Sequence, residues 1–420
     1  MINPFEAATV SRVAYLLAAL SLVFTITNYA FLSCLFIVLS LVAIIFMASP
    51  TLKLTRLHLA IISLYIYFLF SVLFYSPSAL IDFDFYRRDG NFFITFLPML
   101  LYGFFPIELD VRRLLYAYLI WVTLANALGI VCFLFRLLPN DREYTFFFHA
   151  HNAAGGFLCA ILGACLIMFF YRRDILSLLM AVVNLLGVYF TNSRGSIFGL
   201  CASLFLVLIL RGKHIKKLIF SAVLGLGFLL TWTYPVWKEY GMRASAHSID
   251  LVDDNLFDRV GTVVDRGFFL WPRALYLWLQ SPLIGTGFGS YNDIPYDLVG
   301  KEHFIHWNRP ENFIYSDAHA HHSFLHILAE TGLLGLALTI VVLIRMYEFI
   351  LSMKDQLVSK VFLVIFWVNV WSSFTEHRLF TPSQVLPFSI FMGLAMSYRR
   401  FTYKKYHPPD NWVRNNLLAE

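Results

Sequence analysis

Apolar stretches long enough for a helix to cross roughly 30 Å of hydrocarbon recur about twelve times along this chain. Their spans are 13–29, 31–49, 57–75, 91–106, 114–138, 153–171, 175–191, 196–211, 216–234, 323–345, 359–375 and 383–398. In a bilayer each such run satisfies its backbone N–H and C=O groups internally by coiling. The expected fold is therefore an all-α polytopic membrane protein with about 12 transmembrane helices. Composition agrees, since 59% of the 420 residues are hydrophobic and only 14% charged, far from the proportions of water-soluble domains. The five cysteines, Cys34, Cys132, Cys159, Cys165 and Cys201, all fall inside apolar runs. They read as small packing residues, which excludes a disulfide framework and a cysteine-based metal site. The opening MINPFEAATVSR lacks the compact basic region and small-residue cleavage site of a secretory signal, so the first apolar run is expected to remain as a helix.

Lys and Arg alternate between the short connections. With the N-terminus in the cytoplasm, nineteen basic residues from Arg12 to Arg414 fall on the cytoplasmic side, and the short loops opposite hold six (Arg87, Arg88, Arg136, Arg142, Arg194 and Arg378). This bias predicts twelve spans with both termini cytoplasmic. It also accounts for the net charge of +6 as topology, with no nucleic-acid partner implied. The chain then divides into helices 1–9 (1–234), one large outer loop (235–322), helices 10–12 (323–398) and a basic cytoplasmic tail (399–420).

The outer loop is the one long connection, and long loops in compact proteins usually carry function. Within it RGFFLWPRALYLWLQSPLIGTGFGSY (266–291) reads as an amphipathic helix stopped at Ser281-Pro282, followed by a turn through Gly285, Gly287 and Gly289.

Residues able to do chemistry gather on this outer side. Arg194, in TNSRGSIFGL, lies between two apolar runs, where a charge is costly unless it reaches the interface or serves a function. Arg266 and Arg273 flank aromatic helix-forming sequence two helical turns apart, so both can point the same way. A guanidinium fork suits phosphate oxygens. The interspersed charges of the rest of the loop read as solvated surface.

The densest feature is AHAHHSFLHILAETGLLGL (318–336), which places His319, His321, His322 and His326 within eight residues and then enters an apolar helix. A second pair, His149 and His151, followed by Asn152, lies in FFFHAHNAAGG on the same side. Three readings compete: imidazoles satisfied at the interface, a metal site, or a base with helpers. Two converging H-x-H pairs would supply four zinc ligands, yet no H-E-x-x-H is present. A helical stripe of His322, His326 and Glu330 spans about 12 Å along the axis, too far for one ion with bonds near 2 Å. No metal or other cofactor is expected. Histidine is the side chain best able to exchange a proton near neutral pH, which favours a base among 319–322, while His326 reads as a packing or hydrogen-bonding residue.

Taken in order, SRGS at an outer helix junction, an Arg before a Trp-containing helix, SPLIGTGFGSY, HAHHSFL and AETGLLG resemble the O-antigen ligase family. The family pattern of roughly H-x-H-N-x-x-L followed by E-x-G-x-x-G falls on His319, His321, His322, Leu325, Glu330, Gly332 and Gly335, with His322 standing where Asn is usual. The resemblance is sharpest over 191–336. It implies transfer of a glycan from undecaprenyl diphosphate to a sugar hydroxyl of lipid A-core, without metal and with inversion, in the bacterial inner membrane with the loop in the periplasm. By position it makes His321 the base, with His319 as its substitute, and puts Arg194 and Arg266 on the diphosphate. Arg273 is a third candidate there. His322, Glu330, His151 and Asn152 are expected in support, and Glu376-His377-Arg378 in the last outer loop is a lesser candidate for the same cleft.

The nearest rival is an O-antigen polymerase using the same donor. Such chains often carry R-x10-G motifs, and no Arg here has Gly eleven positions on. A lipid or solute transporter should place ionisable residues near the bilayer midplane, where these spans hold almost none.

Overall fold

The computed structural model describes residues 13, 16–26, 30–47, 54–81, 85, 90–105, 109–137, 144–148, 150–209, 270–291, 319–379 and 381–406. Among them the regular elements are helical, with no strand. In chain order they are α1 (Ala30–Met47), α2 (Arg56–Tyr75), α3 (Asn91–Thr95), α4 (Leu97–Tyr102), α5 (Val111–Leu134), α6 (His151–Arg172), α7 (Ile175–Thr191), α8 (Arg194–Ile209), α9 (Trp271–Gln280), α10 (Ser323–Leu351), α11 (Gln356–Ser372) and α12 (Pro382–Tyr406). Four of these, α2, α5, α6 and α10, are long and apolar enough to cross a membrane; α7, α8 and α11 are shorter apolar helices. The chain is a multi-pass helical membrane protein.

Short polar signals set the helix starts. Asp110, Asp174 and Asp355 precede α5, α7 and α11, and each carboxylate accepts a first-turn N–H, at 2.9 Å from Arg113, 2.7 Å from Ser177 and 2.9 Å from Leu357. Between α6 and α7 the chain reverses through Arg173 in the left-handed region, leaving a compact hairpin.

The buried centre is α6, which packs on α7, α8 and α11. Its glycines permit close approach: a Cβ at Gly156 would meet the Gln384 amide of α12, and one at Gly163 would meet Val364 of α11. Polar side chains tie α5 to α7, with Asn184 Nδ2 donating to Thr123 Oγ1 (2.8 Å) and Asn126 Nδ2 donating to Asn184 Oδ1 (3.2 Å). Inside an apolar bundle such groups are tolerated because they satisfy one another.

Three elements differ from the sequence expectation. The run at 91–106 is two short helices meeting at Phe96, because Pro98 lacks the N–H that a continuous helix needs. The tenth run is longer than expected and broken at Gly332 (φ 64°, ψ −167°). The last continues as helix to Tyr406, into the stretch read as tail. Span 216–234 and most of the outer loop lie outside the described residues.

The break in α10 is filled by the glycine-rich turn. Leu333 and Leu334 N–H groups donate to the Pro282 and Leu283 carbonyls (2.9 and 3.0 Å), while Gly287 N–H donates to Glu330 O (2.8 Å). From α2, Tyr67 Oη donates to Thr331 O (2.8 Å), and Ser71 Oγ accepts from Phe288 N–H (2.9 Å). Irregular backbone inside an apolar bundle persists only where protein groups replace the lost helical bonds, and here the 281–291 turn supplies them. Gly285 (φ 74°) is obligatory in that fit, since a Cβ there would overlap the Glu330 carbonyl. The two sequence motifs SPLIGTGFG and AETGLLG are thus the two halves of one joint.

Candidate active site

Three segments converge at one end of the bundle: the residues entering α10, the first turns of α10, and the turn between α11 and α12. Ser323, the first residue of α10, joins them. Its N–H donates to Ser373 O (2.8 Å), and its hydroxyl donates to Glu376 O (3.2 Å) while accepting from the N–H groups of Arg378 (2.8 Å) and Leu379 (3.3 Å).

His321 takes a left-handed conformation (φ 47°), which His tolerates better than most side chains. The turn makes neighbouring histidines diverge. On one side His321 Nδ1 lies 2.8 Å from Glu376 Oε2, with the His321 side chain 22% exposed and Glu376 8%. On the other, His322 caps α10, its Nδ1 accepting from Leu325 N–H at 3.2 Å while its ring packs edge-on against Trp271 and Phe374. The position where the family pattern has Asn is therefore a helix N-cap, a task a neutral imidazole with an acceptor nitrogen performs as Asn does.

Behind His321 the rings form a continuous array. His319 meets His321 edge to face (centroids 4.4 Å apart) and stacks on His377 (4.9 Å, 5° between planes). His377 in turn meets His326 (4.5 Å, 76°), and His326 Nε2 lies 3.4 Å from Glu330 Oε2, both side chains fully buried. Glu330 also accepts the Tyr291 N–H (2.9 Å), and the Tyr291 ring faces His326 on one side and the Arg273 guanidinium on the other (4.7 Å to centroid). Burial, reinforced by His326, His319, His321 and Arg378, drives the His377 pKa well below that of ordinary histidine. Burial also lowers His322, against a backbone hydrogen bond that raises it.

A second corner adjoins this one. Arg378 Nη2 donates to the Asn152 carbonyl (2.7 Å) and reaches Ser196 Oγ (3.5 Å). Ser193 Oγ donates to Asn152 Oδ1 (3.2 Å) and contacts Ser196 Oγ (2.8 Å). Arg194, between these serines, is the first residue of α8 and is half-buried, as is His151 at the start of α6. A Cβ at Gly195 would meet the Thr375 side chain, so the S-R-G-S sequence is what lets α8 abut the 373–379 turn.

Of the residues named from sequence, His319, His321 and Glu330 share one connected cluster, and Asn152 joins its edge through Arg378. Arg273 is 1% exposed within the loop's own packing, behind Tyr291. Arg266 and His149 lie outside the described residues. The sequence reading ranked Glu376 and His377 low, yet they hold the central histidines. The available signal was three consecutive ionisable residues in a short turn between apolar helices. Among the described residues no group of three or more His, Cys, Asp or Glu side chains is arranged to hold a metal ion.

Comparison with known protein families matches residues 179–340 to the family model described as O-antigen ligase. The matched stretch covers Arg194, the 281–291 turn, the 319–326 histidines and the break in α10 with Glu330. Comparison with curated proteins finds no match. Over residues 179–340 the chain is thus similar to the O-antigen ligase family, whose model fits a membrane glycosyltransferase of the ligase and polymerase type.

Proposed function

We propose that this protein transfers a glycan from undecaprenyl diphosphate to a sugar hydroxyl of lipid A-core, at the periplasmic face of the bacterial inner membrane. Twelve spans with both termini in the cytoplasm are part of the reading, and they put the 319–330 and 376–378 clusters on the periplasmic side with the large loop. The observation that carries it is the His321–Glu376 pair, an imidazole held by a carboxylate yet still partly open to solvent. With its Nδ1–H donated to Glu376, the ring has its lone pair on Nε2. That nitrogen takes the acceptor hydroxyl's proton as the oxygen attacks the anomeric carbon. The bond from that carbon to the phosphate oxygen breaks as the new one forms, and the diphosphate leaves with the electron pair. His321 then releases its proton to the departing phosphate or to water. Attack opposite the leaving group inverts the anomeric centre.

Diphosphate is already a good leaving group, so the remaining work is orientation and charge neutralisation. We assign Arg194 and Arg266 to it. One guanidinium about 4 Å from a phosphate charge contributes roughly 4 kcal/mol at an effective dielectric near 20, before desolvation is subtracted. Two arginines can therefore do what a metal does in other transferases. His319, against His321, is the second choice for the base. Arg273 stacks beneath Tyr291 and supports the wall behind the histidines.

The test is reaction of the purified protein with carrier-linked glycan and lipid A-core in the presence of a chelator. Glycan on lipid A-core is the expected product. Longer carrier-linked glycan in its place makes the protein a polymerase. Loss of activity under chelation that zinc restores overturns the metal-free mechanism.

A further inference from the structure

We propose that the Glu376-His377-Arg378 turn, which lies beyond residues 179–340, is the positioning half of this centre. Glu376 sets the tautomer of His321, and Arg378 ties that base to the α6–α8 corner carrying Arg194, with His377 filling the space between the imidazoles. The inference rests on the function proposed above and adds residues to it.

One short turn sends three consecutive side chains to three places. Glu376 reaches His321, His377 stacks on His319 and abuts His326, and Arg378 reaches Asn152 and Ser196. All three are nearly buried, at 6%, 8% and 3% exposed. The shape of the turn does not require them, because Ser323 already holds the backbone through Arg378 N–H, Leu379 N–H and Glu376 O. Burying ionisable groups between apolar helices carries a desolvation cost that a purely structural turn avoids with apolar residues. The partners are also specific. Glu376 meets a histidine of the array that is still open to solvent, and Arg378 meets the start of α6 and the S-R-G-S sequence at the start of α8. His377 faces His319 and His321 from the segment entering α10, His326 from α10, and Arg378 from its own turn. Burial first and that company second lower its pKa, which favours the neutral ring in the array.

The experiment is steady-state kinetics of the full-length protein with carrier-linked glycan and lipid A-core across a pH range. Glu376→Gln should lower kcat by about 100-fold, with both KM values near wild type. It should also move the acidic limb of the pH–rate profile to lower pH, because an imidazolium deprived of its carboxylate loses its proton more readily. Glu376→Asp, which draws the carboxylate back from Nδ1, should cost roughly tenfold in kcat. Arg378→Lys should raise the KM for carrier-linked glycan several-fold and leave the acidic limb in place. Adding Glu376→Gln to His321→Ala should cost nothing beyond His321→Ala alone, since Glu376 acts through that ring. Wild-type kcat with an unmoved limb in Glu376→Gln overturns the proposal, as does a further loss in the double variant. Should Glu376→Gln fail to fold, wild-type kcat in Glu376→Asp overturns it equally. Full activity in His321→Ala strikes instead at the base assigned under the proposed function, so the two failures are distinct.

Discussion

Two histidine–carboxylate pairs stand at opposite ends of one array of rings, and they differ in what surrounds them. His321–Glu376 is close (2.8 Å) and partly open, whereas His326–Glu330 is longer (3.4 Å) and fully buried. The first joins residues 55 apart in sequence, while the second is a single turn within α10. Glu330 also receives the Tyr291 N–H, and its backbone carbonyl receives Gly287 N–H at the helix break. The same two residue types therefore do different work. In the mechanism proposed above, the carboxylate beside the accessible imidazole directs its proton chemistry, while the one beside the buried imidazole accepts the Tyr291 N–H at the joint.

The largest effect expected is on catalysis at the open pair. His321→Ala should reduce glycan transfer by about 10²- to 10⁴-fold while leaving the protein in the membrane at normal abundance, and Arg194→Ala should behave likewise. His326→Ala should keep turnover per folded molecule close to wild type. Equal losses in the two histidine variants would erase the distinction between the pairs. Next in size is stability at the closed pair. Glu330→Ala removes the buried carboxylate beside His326 and takes from the Tyr291 N–H its acceptor, and thermal melts of the purified protein should show about 3–5 kcal/mol of destabilisation. Glu376→Ala should melt closer to wild type.

Between the pairs, His377 predicts a pH dependence. Its pKa is depressed by burial, so the unfolded chain takes up that proton near pH 6.5 while the folded protein resists it until well below. Stability is therefore retained above about pH 6.5 and lost as pH falls beneath it. Melting temperatures measured from pH 7.5 to 5.5 should drop more steeply for wild type than for His377→Gln. The smallest effect is at the cap: His322→Asn preserves the acceptor for Leu325 N–H and should change stability by no more than about 0.5 kcal/mol with activity kept.

Most helices were legible in sequence, because a bilayer-length apolar run carries its own evidence. The helix Trp271–Gln280 and its glycine turn fell where Ser281-Pro282 had marked them. The exceptions are local in cause. Pro98 divides one run, and Gly332 breaks another at a point where apolar periodicity continues unchanged. At the candidate site, the crowding of histidines after residue 318 pointed to the segment that meets the 376–378 turn. It could not sort them, since His321 and His322 are adjacent and one left-handed residue sends them to opposite neighbours.

The sequence by itself determined an all-helical membrane protein with its reactive residues gathered at few points, because hydropathy and residue type are properties of short segments. Tertiary structure alone decided the pairings: Glu376 with His321, His377 against His319, Arg378 against Asn152, and the 281–291 turn within the break of α10. Each joins segments far apart in the chain, and no local pattern encodes which distant group will satisfy a buried imidazole or a freed backbone amide. That choice follows from packing, when the bundle closes around polar groups that must find partners within it.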